Sequence, residues 1–511
     1  MYALNNDVFK HIISGMLFLS ILLVLFCKTT WLFRGNLAEA RDDIQGFKNQ
    51  GDIDVVLVGG STLLRFYNPL QAYKETGITS YNYATSSAKF DLLKEYIEDS
   101  RKTNEADLYV INLRTITLLS EDVDEPSLRN WSDSLSPISF VRVKGINDYV
   151  YSRDWDYKML PTYYFDIMKY HSNKGALSDN KQWVFMDLSS IDNVDKGFSP
   201  NLFNVPFKRM EWGKSKGTLS NQQLNALNDI LDYCDKESIQ ALFICCPYIF
   251  SEKDEGIINT CGDIIRKRGY DYINFNEFYD EMGLDFNTNF SDVNHVNYLG
   301  AIKYTRYLSN YISSHYQLVD HRGDPRYRKW DEDYETLLPK MNEMETNLTA
   351  TINDQKEAKE RGETLNGELD YYQWYNDIRN KNYSVIIRIN DFPDEISFRN
   401  PLLTFFDNYS IDISKDYYIG IWSADNPIVF SSDELYVESN IGSGGGGPTD
   451  ECKVSVELQV INIGGVDYVA KESPIQVVVY DNNYKTVIDN VNIIIESDDS
   501  IVLYRPLYAS E

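Results

Sequence analysis

IDVVLVGGST, residues 53–62, is the stretch whose reading decides the fold. Five of its first eight residues are apolar, β-branched valines dominate, and two glycines end the run. A continuous apolar run of this length suits a strand buried on both faces, as in a parallel sheet covered by helices. Outward from it, the period changes to that of helices. KFDLLKEYIEDSRK (89–102) places Leu92, Leu93, Tyr96 and Ile97 on one face. DLYVINL (107–113) reads as a second buried strand. NQQLNALNDILDYCDKE (221–237) reads as a helix. IQALFICCPYIF (239–250) is a third strand, stopped by Pro247. A helix over about 253–268 and a short strand YDYINF (270–275) follow. Strand and helix in alternation predict an α/β domain with a doubly wound parallel sheet over about 50–318.

Residues 120–215 interrupt that rhythm. They are rich in aromatics, among them Trp131, Tyr149, Tyr151, Trp155, Tyr163, Tyr164 and Trp183. A helical insertion packed on the core accounts for them; so does a lid or acceptor-binding wall beside an active site. Residues 319–375 form a charged connector with apolar positions at Leu337, Met341, Met344, Leu348, Ile352, Leu365 and Leu369. They predict a connecting helix or helix pair, with a short coiled-coil dimer as an alternative. Residues 376–511 read as all-β, with strands at 383–389, 452–461, 474–481 and 491–496. GSGGGGP (442–448) reads as a flexible loop. It lacks the Lys-Ser/Thr ending of a phosphate-binding loop.

At 511 residues the chain needs two or three domains. Its formal net charge of −28 argues against nucleic acid as a partner, and an anionic lipid surface would repel it. Membrane contact must therefore come from an inserted segment. Residues 12–27, IISGMLFLSILLVLFC, carry no charge, and the apolar stretch reaches about 22 residues if Lys28 snorkels and Trp31 sits at the interface. Residues 1–35 thus read as a tail and a retained signal anchor, with a short polar helix over about 36–49. Lys10 precedes the segment, whereas Lys28, Arg34 and Arg41 come after it. The charge count alone would place the domains beyond the segment on the cytoplasmic side. Six cysteines show no C-x-x-C spacing, so no metal cage is expected; Cys245 and Cys246 read as core thiols, and a Cys234–Cys261 bridge stays open.

Two motifs carry chemistry. Ser61 follows Gly59-Gly60 just beyond the first strand, where open α/β sheets place their ligands. The glycines allow a tight turn, and the Ser61 amide can serve as an oxyanion donor. By itself this is also what an ordinary Gly-Gly-Ser turn looks like. The second motif is DFNTNFSDVNHVNYLG (285–300), in which Asp292 and His295 stand two residues apart before an amphipathic helix. A nucleophilic serine needs a base within hydrogen-bond reach, and that base needs an acidic orienter. One short D-x-x-H loop supplies both, and the chain holds only five histidines. Asp285 is a rival orienter with a less suitable spacing. The plain alternative is a helix-capping Asp beside a surface His.

Together these blocks resemble the SGNH (GDSL-like) hydrolase superfamily, over about 53–315. The resemblance is closest to its membrane-anchored bacterial surface-polysaccharide branch, similar to DltD-type and alginate-acetylation proteins. TSYNYATSS (79–87), CCPYIFSE (245–252), YINFNEFYDEMGLDF (272–286) and HVNYLGAIKYT (295–305) fit the same branch. The resemblance implies Ser61 as nucleophile, His295 as general base and Asp292 as its orienter. It implies oxyanion donors at the Ser61 amide, at the amide of Ala84 where the family has Gly, and at the Asn112 side chain. Arg114 is a competing anion stabiliser, and His171, in the aromatic insertion, is a candidate substrate contact. INIGGVDYV and PIQVVVYD, within 461–481, resemble an ILEI-type lectin-like β domain, which implies glycan or partner binding; a β spacer fits equally.

The resulting expectation is a serine-dependent O-acyltransferase or O-acetyl esterase on an extracytoplasmic cell-surface polysaccharide, working through an acyl-Ser61 intermediate and no cofactor. The anchor favours transfer, since such proteins commonly work beside a membrane-bound acyl-exporting partner. The alternative is a non-catalytic glycan-binding or assembly protein on a degenerate SGNH scaffold.

Overall fold

In the computed structural model, the residues described are 6–34, 38–170, 191–366, 370–380, 382–392, 400–423, 427–431, 436–441, 452–464, 466–469, 473–483, 485–496 and 500–505. Trp183, His171 and the glycine run 442–448 lie outside them. The chain divides into two compact units, Met1–Glu345 and Thr346–Glu511.

The first unit is built on five parallel strands: β1 (Val55–Gly59), β2 (Ser80–Ala84), β3 (Leu108–Asn112), β4 (Ala241–Cys245) and β5 (Asp271–Asn274). Their order is β2-β1-β3-β4-β5, all pairs parallel. This is one of the orders of doubly wound sheets, and the chain reverses its direction of travel between β1 and β3. Every residue of β1, β3 and β4 is buried, as the continuous apolar runs require. Strand β2 is equally buried yet reads SYNYA. Its alternate polar residues are satisfied from within: Asn82 Nδ2 donates to Tyr67 O at 2.7 Å and to Gly197 O at 3.1 Å.

The aromatic segment folds onto this core. Trp131, Tyr149 and Tyr163 are buried in the same apolar cluster as β1 and β3, and Trp131 stacks on Tyr96 at 6.1 Å. Packing thus accounts for Trp131, Tyr149, Tyr163 and Tyr164 of its helices Glu125–Ser134, Phe140–Ser152 and Leu160–Tyr164, whereas Phe140 and Tyr151 are exposed. Cys234 and Cys261 are both free and buried, so the disulfide left open by the sequence does not form; each thiol packs in the apolar core, and burial pushes each up to about 12.

An apolar helix, Asn6–Arg34, precedes the sheet. Its Phe9–Thr30 stretch is long and apolar enough to cross a membrane. At the other end, helix Tyr298–His315 is followed by a helix of 39 residues, Arg328–Asn366, with Pro339 inside it. The expected connector is therefore one long helix before the short Tyr371–Asp377. Its first turns belong to the first unit, which extends to Glu345 and not to 318. The reason is packing: Trp330 meets Tyr73 at 5.4 Å, and Lys196, buried, pairs with Asp333.

The second unit is antiparallel. Strands β6 (Tyr383–Ile389), β7 (Tyr418–Ser423), β8 (Pro427–Ser431), β9 (Tyr436–Ile441), β10 (Cys452–Glu457), β11 (Ile461–Ile463), β12 (Val466–Asp467), β13 (Ile475–Asp481), β14 (Thr486–Ile495) and β15 (Ile501–Tyr504) form two sheets. Six strands run β15-β14-β13-β6-β7-β8 and four run β12-β11-β10-β9. Alternation along β6 and β13 explains the layering. Val385, Ile387, Val477 and Val479 face helices Tyr371–Asp377 and Leu402–Asn408, while Ile386 and Val478 face the four-stranded sheet. Strands buried on both faces read as unbroken apolar runs even in an antiparallel sheet.

Candidate active site

The crevice between the ends of β1 and β3 is where a doubly wound sheet offers its ligand site. Ser61 leaves the end of β1 as the first residue of a short helix, Ser61–Phe66. Gly60, before it, has φ −102°, a conformation open to any residue. The two glycines therefore provide room, not an unusual backbone. A Cβ on Gly59 would lie 2.9 Å from Leu63 and 3.1 Å from the Asn112 side chain. As the first residue of the helix, Ser61 has an N–H without an intrahelical acceptor.

The second motif forms a tight loop that Phe290 and Val296 close as an antiparallel bridge. The Ser291 amide donates to His295 O at 2.9 Å, and the Asn294 amide donates to Asp292 Oδ1 at 2.7 Å. Asn297 then caps helix Tyr298–His315 through the Gly300 amide and donates from Nδ2 to Thr288 O and Asn204 Oδ1, both at 3.0 Å. A Cβ on Gly300 would stand 2.4 Å from Asn289 O, so only glycine lets the loop lie against the helix.

This loop brings His295 to Ser61. Ser61 Oγ lies 2.8 Å from His295 Nε2, and His295 Nδ1 lies 2.9 and 3.0 Å from the two oxygens of Asp292. A serine, an imidazole and a carboxylate in one hydrogen-bonded chain is the arrangement of a base-activated nucleophile. Burial alone would raise the Asp292 carboxyl. The hydrogen bond and charge of His295, with the amides of Asn294 and His295, outweigh it and hold the carboxyl below the usual aspartate range. Asp285 is turned elsewhere, accepting the Asn287 amide at 2.7 Å. The His295 and Asp292 side chains are 19 % and 29 % exposed, so a second nucleophile can reach the site.

The remaining candidates separate. Ala84 ends β2 opposite Gly59 and is fully buried. The Asn112 amide is engaged within the protein. Its Nδ2 donates to Thr62 Oγ1 at 2.6 Å and meets Cys246 Sγ at 3.3 Å, while its Oδ1 accepts the Arg114 amide. With both amide hydrogens so directed, Asn112 braces the turn that carries Ser61 from beneath. Burial pushes the Cys246 thiol up to about 12, which keeps it neutral there. Arg114 lies at the site: its guanidinium stacks on the Tyr248 ring at 3.9 Å and donates from Nη2 to Asn294 Oδ1 at 2.6 Å. Its buried Nε has no hydrogen-bond partner among the described residues. His171 lies outside the described residues.

Sequence reasoning missed the wall beside the triad. Residues 199–207, at the end of the aromatic insertion, run along the D-x-x-H loop. Ser199 N donates to Leu64 O, Asn201 Nδ2 to Ser291 Oγ, Tyr298 N to Asn201 O, and Val205 N to Phe290 O. Leu202, Phe203 and Val293 are exposed there. Four asparagines between 285 and 297 were the available signal, since Asn side chains hold irregular backbone. No protein-family model matches this chain, and no curated protein matches it.

Proposed function

We propose that the first unit is a serine-dependent acyl-transfer enzyme acting on an extracytoplasmic cell-surface polysaccharide. The hydrogen-bonded chain Ser61–His295–Asp292 carries this reading. Ser61 Oγ attacks an acyl carbonyl as His295 Nε2 takes its proton. The tetrahedral oxyanion is met by the Ser61 amide, with Ala84 at the neighbouring strand end and Arg114 as a cation beside the D-x-x-H loop. Collapse expels the donor's alkoxide, which takes the proton from His295 and leaves an acyl-Ser61 ester. His295 then deprotonates a second nucleophile: a sugar hydroxyl gives O-acyl transfer, and water gives esterase activity.

The glycan substrate is supported by the resemblance of residues 53–315 to the SGNH surface-polysaccharide branch, and by that of the β unit to lectin-like domains. The reading places the Phe9–Thr30 helix in the cell membrane, both units on the extracytoplasmic side, and a membrane-bound acyl-exporting partner beside it. That placement is supported by the resemblance alone and runs against the charge count around the helix.

A second reading, a non-catalytic glycan-binding or assembly protein, is favoured by the inward donation of Asn112, which leaves the oxyanion one expected donor short. Labelling with a fluorophosphonate probe tests both. Wild-type protein should label and Ser61→Ala should not; acyl content of the surface glycan in cells with and without the protein then separates transfer from hydrolysis. Absence of labelling, with glycan acylation unchanged in Ser61→Ala cells, would sink the enzyme.

A further inference from the structure

The apolar helix Asn6–Arg34 is exposed from Phe9 to Leu25 and becomes partly covered at Phe26, inside its membrane-length stretch Phe9–Thr30. At 1.5 Å per residue, packing on the helix begins about 6 Å before that stretch ends. The Phe26 ring meets Phe165 at 6.2 Å, edge to face.

The joint beyond is rigid. Arg34, buried at the helix end, donates from Nε to Asp166 Oδ2 at 2.8 Å, and from Nη1 to Asp133 O at 3.0 Å and to Leu135 O. Arg142, fully buried, donates to Asp133 Oδ1 at 3.3 Å. Breaking such a joint would strand buried charges, so the helix and the first unit turn together. Around the joint the surface is apolar and open to solvent: Phe165 is 52 % exposed, Ile167 57 % and, beyond Leu135, Ile138 56 %. Phe165 and Ile167 flank the very carboxylate that holds Arg34.

We propose that this face is seated in the head-group layer of the bilayer that the helix crosses, with Phe165 and Ile167 reaching the edge of the hydrocarbon. The inference rests on the reading that Phe9–Thr30 spans a membrane. Given that span, the Phe26–Phe165 contact fixes the face at the depth of the last turns of the span. Apolar side chains at that depth lose contact with water, which is the driving force for an interfacial helix. The chain's net charge of −28 means that seating does not depend on anionic lipid.

The test uses the full chain with Cys27 and Cys452 replaced by serine, reconstituted in phosphatidylcholine vesicles. The polarity-sensitive fluorophore NBD is attached to one introduced cysteine: Leu19→Cys in the span, Ile167→Cys on the face, or Asn310→Cys on the exposed side of helix Tyr298–His315. Lipids spin-labelled at the head group should quench the label at 167 at least threefold more than the label at 310. Lipids labelled deep in the chain should quench the label at 19. Adding anionic lipid should not raise quenching at 167. Quenching at 19 with 167 no more quenched than 310 overturns the seating while keeping the span; quenching at neither 19 nor 167 overturns both.

Discussion

Replacing Asp292 by asparagine tests the triad at its most specific point. The change conserves shape and removes one charge. In the wild type, Asp292 Oδ1 accepts the Asn294 amide at 2.7 Å, and Oδ2 lies 3.0 Å from His295 Nδ1. An asparagine keeps its carbonyl where the Asn294 amide demands an acceptor. Its NH2 group then stands 3.0 Å from Nδ1, while the carbonyl at 2.9 Å is already engaged by the Asn294 amide, so Nδ1 is turned towards accepting. The imidazole proton moves to Nε2, 2.8 Å from Ser61 Oγ, where a base must be unprotonated. Loss of the correct tautomer in a triad of this type costs about four orders of magnitude in kcat, about 5.4 kcal/mol. The assay is the second-order rate of fluorophosphonate labelling and the acylation burst with p-nitrophenyl acetate. Circular dichroism should show an unchanged fold. Asp285→Asn, on a neighbouring turn that does not face the imidazole, should change the rate less than twofold. A loss of under tenfold in Asp292→Asn, or an equal loss in Asp285→Asn, would refute the assigned roles.

Arg114→Gln removes a charge-assisted bond to Asn294 and a ring contact; with about 1.5–3 kcal/mol at stake, acylation should slow roughly tenfold to a hundredfold, with Arg114→Lys intermediate. Glu95 is buried, and burial raises its carboxyl above the usual glutamate range despite Lys94 and Lys144. Its ionisation therefore opposes folding above the unfolded-state value and not below it. Glu95→Gln should raise the melting temperature at pH 7, with the gain vanishing as pH falls to about 4. Trp131→Ala empties a fully buried site against Tyr96 and should cost about 3–5 kcal/mol, read by denaturant unfolding followed through near-ultraviolet dichroism.

How much of the fold is legible in the sequence depends on where the information is stored. Strands β1, β3 and β4 announced themselves because both faces are buried, so every residue is apolar or nearly so. Strand β2 did not read as a strand on this criterion, because Ser80 and Asn82 are buried against polar partners that only the fold brings there. In the second unit β6 and β13 were plain, while β9, with exposed residues on one side, was not. The seven-residue helix Leu402–Asn408 is too short to display a period. At the site, Asp292 and His295 were legible because one loop carries both. The direction of the Asn112 amide was not, because Thr62 and Cys246 set it, and neither is its neighbour in sequence. The wall at 199–207 was hidden for the same reason: its partners lie about ninety residues away in the D-x-x-H loop.

Ser61 and His295 stand 234 positions apart, the first leaving the opening strand of the sheet and the second preceding its closing helix. Chains are synthesised from the N-terminus and domains fold as units. Ser61 therefore emerges long before anything can take its proton, and an incomplete chain carries an inert hydroxyl. On the proposed function, acylating power switches on only when helix Tyr298–His315 docks, so chemical competence would double as a certificate that the sheet has closed. A serine-directed probe, applied during synthesis or refolding, would count finished domains, not exposed serines.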